Sequence, residues 1–88
     1  MKATFHKSFT RDLKKIKDQA ILDRIRKAIE QVEAAAALQE IGDLKKMSGT
    51  GNYYRIRVGE YRIGVAVEGD VVEFVRCLPR RDLYRFFP

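Results

Sequence analysis

Cysteine is nearly missing from this chain: Cys77 stands alone among 88 residues. No intrachain disulfide can form, which fits a reducing compartment. Cys77 lies inside an apolar run, so a small buried hydrophobe is expected there and not a nucleophile. Histidine is as scarce. His6 is the only one, so the usual nucleophile–histidine–carboxylate triad cannot be assembled, and His6 reads as a surface or strand-edge residue. There is no CxxC pair, no glycine-rich phosphate loop and no His/carboxylate cluster at metal-ligand spacing, so no metal or cofactor is indicated. No apolar run approaches the length of a membrane span, and the opening MKATFHKSF lacks a signal-type apolar core, so a cytoplasmic protein is expected. Repeats, low-complexity tracts and linkers are also lacking. The expectation is one domain over residues 1–88, small enough to bury roughly 60–65% of its unfolded surface.

What is plentiful is positive charge. Eighteen Lys and Arg face twelve Asp and Glu, for a net charge of +6. Residues 1–44 hold nine cations against seven acids, and residues 45–88 hold nine against five. In the second half seven of the nine cations are arginine, the exceptions being Lys45 and Lys46. Arginine binds phosphate oxygens through two parallel hydrogen bonds and sheds water more readily than lysine. Such a surplus points to nucleic acid, an anionic membrane surface or an acidic protein.

Residues 51–88 organise the chain. Alternating runs at 53–58 and 61–67 are joined at Gly59-Glu60, and a third run at 71–78 follows Glu68-Gly69-Asp70. Period-two alternation with short glycine-bearing links predicts an antiparallel meander. Successive side chains on a strand point to opposite faces, so Tyr54, Ile56 and Val58 separate from Arg55 and Arg57. On the next strand Tyr61, Ile63, Val65 and Val67 separate from Arg62, Gly64 and Ala66. One face is a core and the other carries arginines. The third strand has two readings of its phase: Val72, Phe74 and Leu78 go with Arg76, and Val71, Val75 and Cys77 with Glu73. Val75 and Cys77 are placed in the core, which puts Arg76 on the arginine face.

Ahead of the meander, residues 1–6 alternate as a short edge strand. Ser8 is a candidate cap for a helix to about Lys17, with Phe9, Leu13 and Ile16 as its apolar stripe. Asp18 caps a longer helix to about Ala37, with Leu22, Ile25, Ala28 or Ile29, Val32 and Ala36 inward. Its run from Ala34 to Ala37 has high helix propensity and no bulk, which suggests close packing. Residues 39–52 read as a connector from which Leu44 and Met47 drop into the core. Pro79 ends the last strand, and a turn of helix follows. The predicted fold is α+β in the order β-α-α-β-β-β: a meander sheet, a two-helix hairpin on one face and a short C-terminal helical turn.

The chemistry on offer is arginine plus tyrosine. Arg55, Arg57 and Arg62 fall on adjacent strands of one face, about 4.8 Å apart in the pairing direction. Like charges gather so closely where an anion sits or where carboxylates interleave, and Glu60, Glu73 and Asp82 are the candidate counter-ions. A phosphodiester cleft would use the cations to stabilise the charge of the transition state. Tyr84 or Tyr53 would stack on a base.

The string YYRIRVGEYRIGVAVEGDVVEFVRCLPRRDLYR resembles the RelE/ParE superfamily of toxins from bacterial toxin–antitoxin pairs, through its YRIRVGxYRI hairpin and RRDLYR ending. The RelE-type members imply ribosome-dependent cleavage of mRNA in the A site. The ribose 2′-hydroxyl attacks the adjacent phosphorus and leaves a 2′,3′-cyclic phosphate and a 5′-hydroxyl. By this resemblance Arg62 and Arg80 hold the phosphate and stabilise the leaving group, Tyr84 stacks on the base, and Arg55 and Arg57 supply activation and charge. Lys45, Lys46, Tyr53, Arg76, Arg81 and Arg85 are the accompanying RNA-binding candidates. The implied partners are a cognate antitoxin, mRNA and the ribosome, with DNA reached only through the antitoxin and no membrane.

The chain departs from the RelE pattern at three places. Arg55 and Arg57 replace lysines, and Pro79 replaces the histidine that many relatives carry before the double arginine. Arginine, with a reference pKa of about 12.5–13.8, is a poor proton acceptor at neutral pH. The general base is left open among electrostatics alone, ribosomal RNA and a carboxylate such as Glu60 or Glu73. A ParE-type gyrase inhibitor and an inactive relative that only binds a partner stay open beside the nuclease.

Overall fold

The computed structural model describes residues 1–49 and 51–88. Five strands form one sheet, β1 (Lys2–Phe5), β2 (Leu44–Lys46), β3 (Tyr53–Val58), β4 (Tyr61–Glu68) and β5 (Val71–Pro79), in the order β1-β5-β4-β3-β2. The β3–β4 and β4–β5 pairs are the expected meander. Each turn opens on a glycine of positive φ, Gly59 at 57° and Gly69 at 60°, conformations open to glycine without a Cβ clash. β1 is an edge strand as expected and runs parallel to β5, with Phe5 beside Phe74. Between them in sequence lie α1 (Lys7–Lys14) and α2 (Gln19–Ala34), which supply the crossover that a parallel pair requires.

Phe9, Ile16, Ile25 and Val32 of the helical half meet Ile56, Ile63, Val65, Val72, Phe74 and Cys77 of the sheet in one buried cluster. Phe9 and Phe74 are essentially sealed from water, each contributing about 2–3 kcal/mol of burial. The expected two-helix cover on one face is present. Its boundaries differ from those predicted. His6 and not Ser8 caps α1, its Nδ1 accepting the Ser8 amide at 3.2 Å. Ser8 instead donates its hydroxyl to the Val75 carbonyl. α1 stops at Lys14, and Asp18 caps α2 as predicted, accepting from the amides of Ala20 and Ile21. α2 stops at Ala34, short of Ala37, and Ala36 is exposed. Tertiary contacts override the alanine propensity there: the Met1 ammonium takes the carbonyls of Val32, Glu33 and Ala35, and Glu40 accepts the Ala36 amide.

Two further corrections concern the sheet. A 3₁₀ turn, Leu38–Glu40, leads into the connector at 39–52, which holds the strand β2; β2 pairs with β3 so that Leu44 lies beside Ile56, half-buried against the core. Three residues reading Leu-Lys-Lys show no alternation to detect. Thr50, within that connector, lies outside the described residues. The phase of β5 is settled by a bulge. Val65 pairs with Phe74, but Gly64 pairs with Arg76, so Val75 is the extra residue. Val72 and Phe74 are buried before the bulge and Cys77 after it, while Val75 is only half-buried. Both phases are used in turn.

Where β1 has run out, the exposed edge of β5 is satisfied by α1. The Asp12 carboxylate accepts the Cys77 amide at 2.9 Å, and Ser8 caps the Val75 carbonyl. The face opposite the helices is not bare. α3 (Arg80–Phe86) folds back over it, longer than the single turn expected, and buries Leu83 and Phe87 against the sheet.

Candidate active site

Register decides which cations share a face. Arg57 pairs with Arg62 across β3 and β4. One row further along, Lys45, Arg55, Gly64 and Arg76 line up across β2, β3, β4 and β5. Cross-strand partners point the same way, so these residues occupy the face away from the helix pair. Pro79 delivers the chain into α3 beside them. The Arg80 amide donates to the Glu60 carbonyl at 2.8 Å, tying the start of α3 to the β3–β4 turn.

Arg62 is the centre of the arrangement. It is 7% exposed, and its Nη1 donates to the carbonyls of Gly59 at 2.7 Å and Tyr61 at 2.9 Å. Burial holds its pKa below the ordinary arginine value, and the charges of Arg55, Arg57 and Arg80 push it down further, while Tyr84 pulls the other way. Arg55, Arg57, Arg80 and the Tyr84 phenol therefore all lie close enough to Arg62 to act on its charge. Among the described residues the only side-chain ion pairs are Arg26–Asp23 and Arg76–Asp12. Arg55, Arg57, Arg62 and Arg80 have no carboxylate partner there. Arg62 is buried and Arg55 half-buried, with Arg57 and Arg80 exposed beside them, so like charge without counter-ions costs most at Arg62 and is relieved when a polyanion binds.

Beside the cluster lies a hollow of about 830 Å³ lined by Glu60, Pro79, Arg80, Arg81, Asp82 and Tyr84. Tyr84 is 56% exposed on α3, with its ring free to stack. The other candidates divide. Lys45 and Arg81 stay with the cluster. Arg76 shares its face but is held by Asp12, through Nε–Oδ2 at 2.8 Å and Nη2–Oδ1 at 3.2 Å, and this contact keeps Arg76 protonated above the usual range. Lys46 pairs in register with Tyr54 on the helix-facing side, 5.9 Å over its ring. Tyr53 packs edge-on against Phe87 at 5.6 Å, and Arg85 lies over Phe86 at 5.5 Å. Burial first, and then Asp12, pushes the Cys77 thiol up to about 12, which leaves it unreactive.

Asp12 was not singled out from the sequence, yet it anchors α1, Arg76 and the β5 edge together. A signal was available: Phe9, Asp12, Leu13 and Ile16 follow the spacing of one helix face, so a carboxylate sits within the apolar stripe.

The family model described as the ParE toxin of the type II toxin–antitoxin system, parDE, matches residues 3–84. The chain belongs to this family. Toxin RelE3 of Methanocaldococcus jannaschii is 45% identical to this toxin-family chain over 89 residues, covering 100% of each. The crystal structure of a RelB–RelE antitoxin–toxin complex from Methanococcus jannaschii superposes with a TM-score of 0.81 at 44% identity, over 97% of this chain and 99% of that one. An archaeal RelE–RelB complex from Pyrococcus horikoshii OT3 gives 0.72 at 26% identity, over 90% and 93%. The RelE/ParE resemblance carried by the hairpin and the RRDLYR ending is thereby established for this toxin-family chain. Among its described residues no helix is long and apolar enough to cross a membrane.

Proposed function

We propose that the chain acts as an endoribonuclease toxin that cleaves mRNA on the ribosome and is silenced by a cognate antitoxin. The observation that carries this reading is the partnerless arginine cluster around Arg62, with an exposed tyrosine beside it. Arg62 and Arg80 hold the scissile phosphate. The 2′-hydroxyl oxygen forms a bond to phosphorus as the bond to the 5′-oxygen breaks. The released 5′-oxygen takes up a proton from solvent water, so the products are a 2′,3′-cyclic phosphate and a 5′-hydroxyl. Negative charge builds on the phosphoryl oxygens and on the leaving oxygen, and Arg55 and Arg57 add to the field that stabilises it. Because Arg62 is tied to the carbonyls of Gly59 and Tyr61, it is aligned before substrate arrives. Tyr84 stacks on the base next to the cut. Glu60 and Asp82, which line the hollow, are the chain's own acceptors for the hydroxyl proton.

The archaeal relatives in complex with RelB support an antitoxin partner of that kind for this chain. A second reading, inhibition of DNA gyrase, draws on the ParE name of the matching family model. Induction of the chain followed by mapping of mRNA 5′ ends, in parallel with a supercoiling assay, separates the two. New 5′ ends within translated codons support cleavage. Intact mRNA with blocked supercoiling refutes it.

A further inference from the structure

α3 is held at two points, and together they set its direction. Its start is tied where the Arg80 amide donates to the Glu60 carbonyl. That point alone would leave the helix free to swing about Pro79. The second point is its last turn, where Phe86 and Phe87 rest on neighbouring residues of the sheet. Phe87 fills the gap at Gly64, and the Arg76 guanidinium lies over the Phe86 ring, 5.9 Å from its centre. Gly64 and Arg76 are cross-strand partners, so the two rings sit side by side on one rung. Tyr84, which acts on the charge of Arg62, lies between the two points. Its distance from Arg62 therefore depends on the second.

A guanidinium can seat a ring only where it is itself fixed. Arg76 is gripped by Asp12 through two hydrogen bonds, Nε–Oδ2 at 2.8 Å and Nη2–Oδ1 at 3.2 Å. Asp12 is 4% exposed and also accepts the Cys77 amide, so it cannot turn away. One residue before Arg76, the Ser8 hydroxyl pins the Val75 carbonyl at the bulge that re-aims the strand. A planar fork matched to a carboxylate keeps little freedom, and the carboxylate covers the edge that would otherwise fork onto a phosphate. Arg85 also lies over Phe86, at 5.5 Å, but it belongs to α3 and moves with it. Only Arg76 joins the ring to the body of the protein by this kind of contact.

We infer that Asp12 and Arg76 are positioning residues: they hold Phe86, and through it the end of α3, so that Tyr84 stands beside Arg62. Arg76 thereby leaves the set of RNA-binding candidates in which strand parity placed it. A cation–π contact is modest in strength. Its effect here is geometric, because a displacement of about 1 Å at a reacting site can cost on the order of 10²-fold in rate. The kinetic consequence rests on the proposed function, while the seating of α3 is measured without any cleavage.

The test uses the full chain and the variants Asp12→Asn, Arg76→Gln, Phe86→Leu and Phe86→Tyr, each checked for folding by thermal melting. Phe86 is exposed, so Phe86→Leu reports even where Asp12→Asn loosens the core. Relative to the core amide of Ile63, amide exchange at Leu83 and Tyr84 should quicken about tenfold in Asp12→Asn, Arg76→Gln and Phe86→Leu. Phe86→Tyr keeps the ring and should match the parent. Single-turnover cleavage should slow by about tenfold or more in the first three and stay at the parent's rate in Phe86→Tyr. Affinity for a short 2′-O-methyl RNA, which cannot be cut, separates positioning from direct contact. Positioning predicts that Asp12→Asn and Phe86→Leu both weaken it. Direct contact predicts that Asp12→Asn tightens it, by freeing a cation, and that Phe86→Leu leaves it unchanged. Unaltered exchange at Leu83 and Tyr84 in the three variants overturns the inference, as does tighter binding by Asp12→Asn. A parent that cuts no RNA, with α3 protection lost in the same three variants, supports the positioning and refutes the nuclease reading.

Discussion

The ring of Phe87 occupies the space that a side chain at Gly64 would take: a Cβ there would meet the ring carbons at 2.6–2.8 Å. Gly64 pairs with Arg55 on one side and Arg76 on the other, so the gap it leaves lies within the arginine face. The wedge seats the end of α3, and with it the placement of Arg80 and Tyr84. Gly64→Ala should force the ring out and cost about 1–3 kcal/mol, the usual range for overpacking. Phe87→Ala should cost about 3 kcal/mol through the cavity it opens. Both should lower cleavage more than Phe87→Leu, as read by thermal melting alongside mapping of 5′ ends.

Arg62→Ala should abolish most activity and leave the fold nearly as stable. The two hydrogen bonds to the β3–β4 turn are lost, but so is the repulsion from Arg55, Arg57 and Arg80. Removing one preorganised group that stabilises developing charge costs on the order of 10²–10³ in kcat. Single-turnover cleavage and a melting curve on the same sample check both halves.

Asp12→Ala removes the partner of a partly buried guanidinium and the acceptor of a buried amide. A loss of about 2–4 kcal/mol is expected, most of it the penalty of leaving those donors unpaired. Arg76→Ala should cost less, and the double variant should cost less than the sum of the two. Denaturant melts of the four proteins measure the coupling.

Cys77 gives an alkaline dependence. Its folded pKa of about 12 lies above that of an unfolded thiol, roughly 8.5. The native state therefore holds this proton more tightly, so the group's stabilising contribution is complete below about pH 8.5 and is lost as pH rises towards 12. Cys77→Ala should flatten the decline in melting temperature over that interval. At pH 8 a thiol reagent should leave the folded protein unlabelled and react once denaturant is added.

The meander and the helix pair were legible because they repeat a period. Alternation over 53–58 and 61–67 and the stripe of Leu22, Ile25 and Val32 are local statements about which side chains face inward. β2 and the end of α2 were not legible. Leu44 packs half-buried against the core because Ile56 lies beside it, and α2 ends where the Met1 ammonium caps its carbonyls, contacts made by residues distant in the chain. Of the site residues, Arg55, Arg57 and Arg62 were placed correctly on one face by strand parity alone. Parity could not show that Arg76 is taken by Asp12 or that Lys46 looks the other way.

The sequence by itself determined the meander strands and the helix pair of this toxin-family chain, the sidedness of its hairpin and the stock of arginines on that side. These depend on periods of two and 3.6 residues, which neighbouring positions set among themselves. Only the tertiary structure decided which arginines remain free. One bulge at Val75 re-phases β5, one aspartate on α1 takes Arg76, and one ring over Gly64 fixes α3 beside Arg62. Free charge is a property of what lies within a few ångströms in space, and adjacency along the chain does not report it.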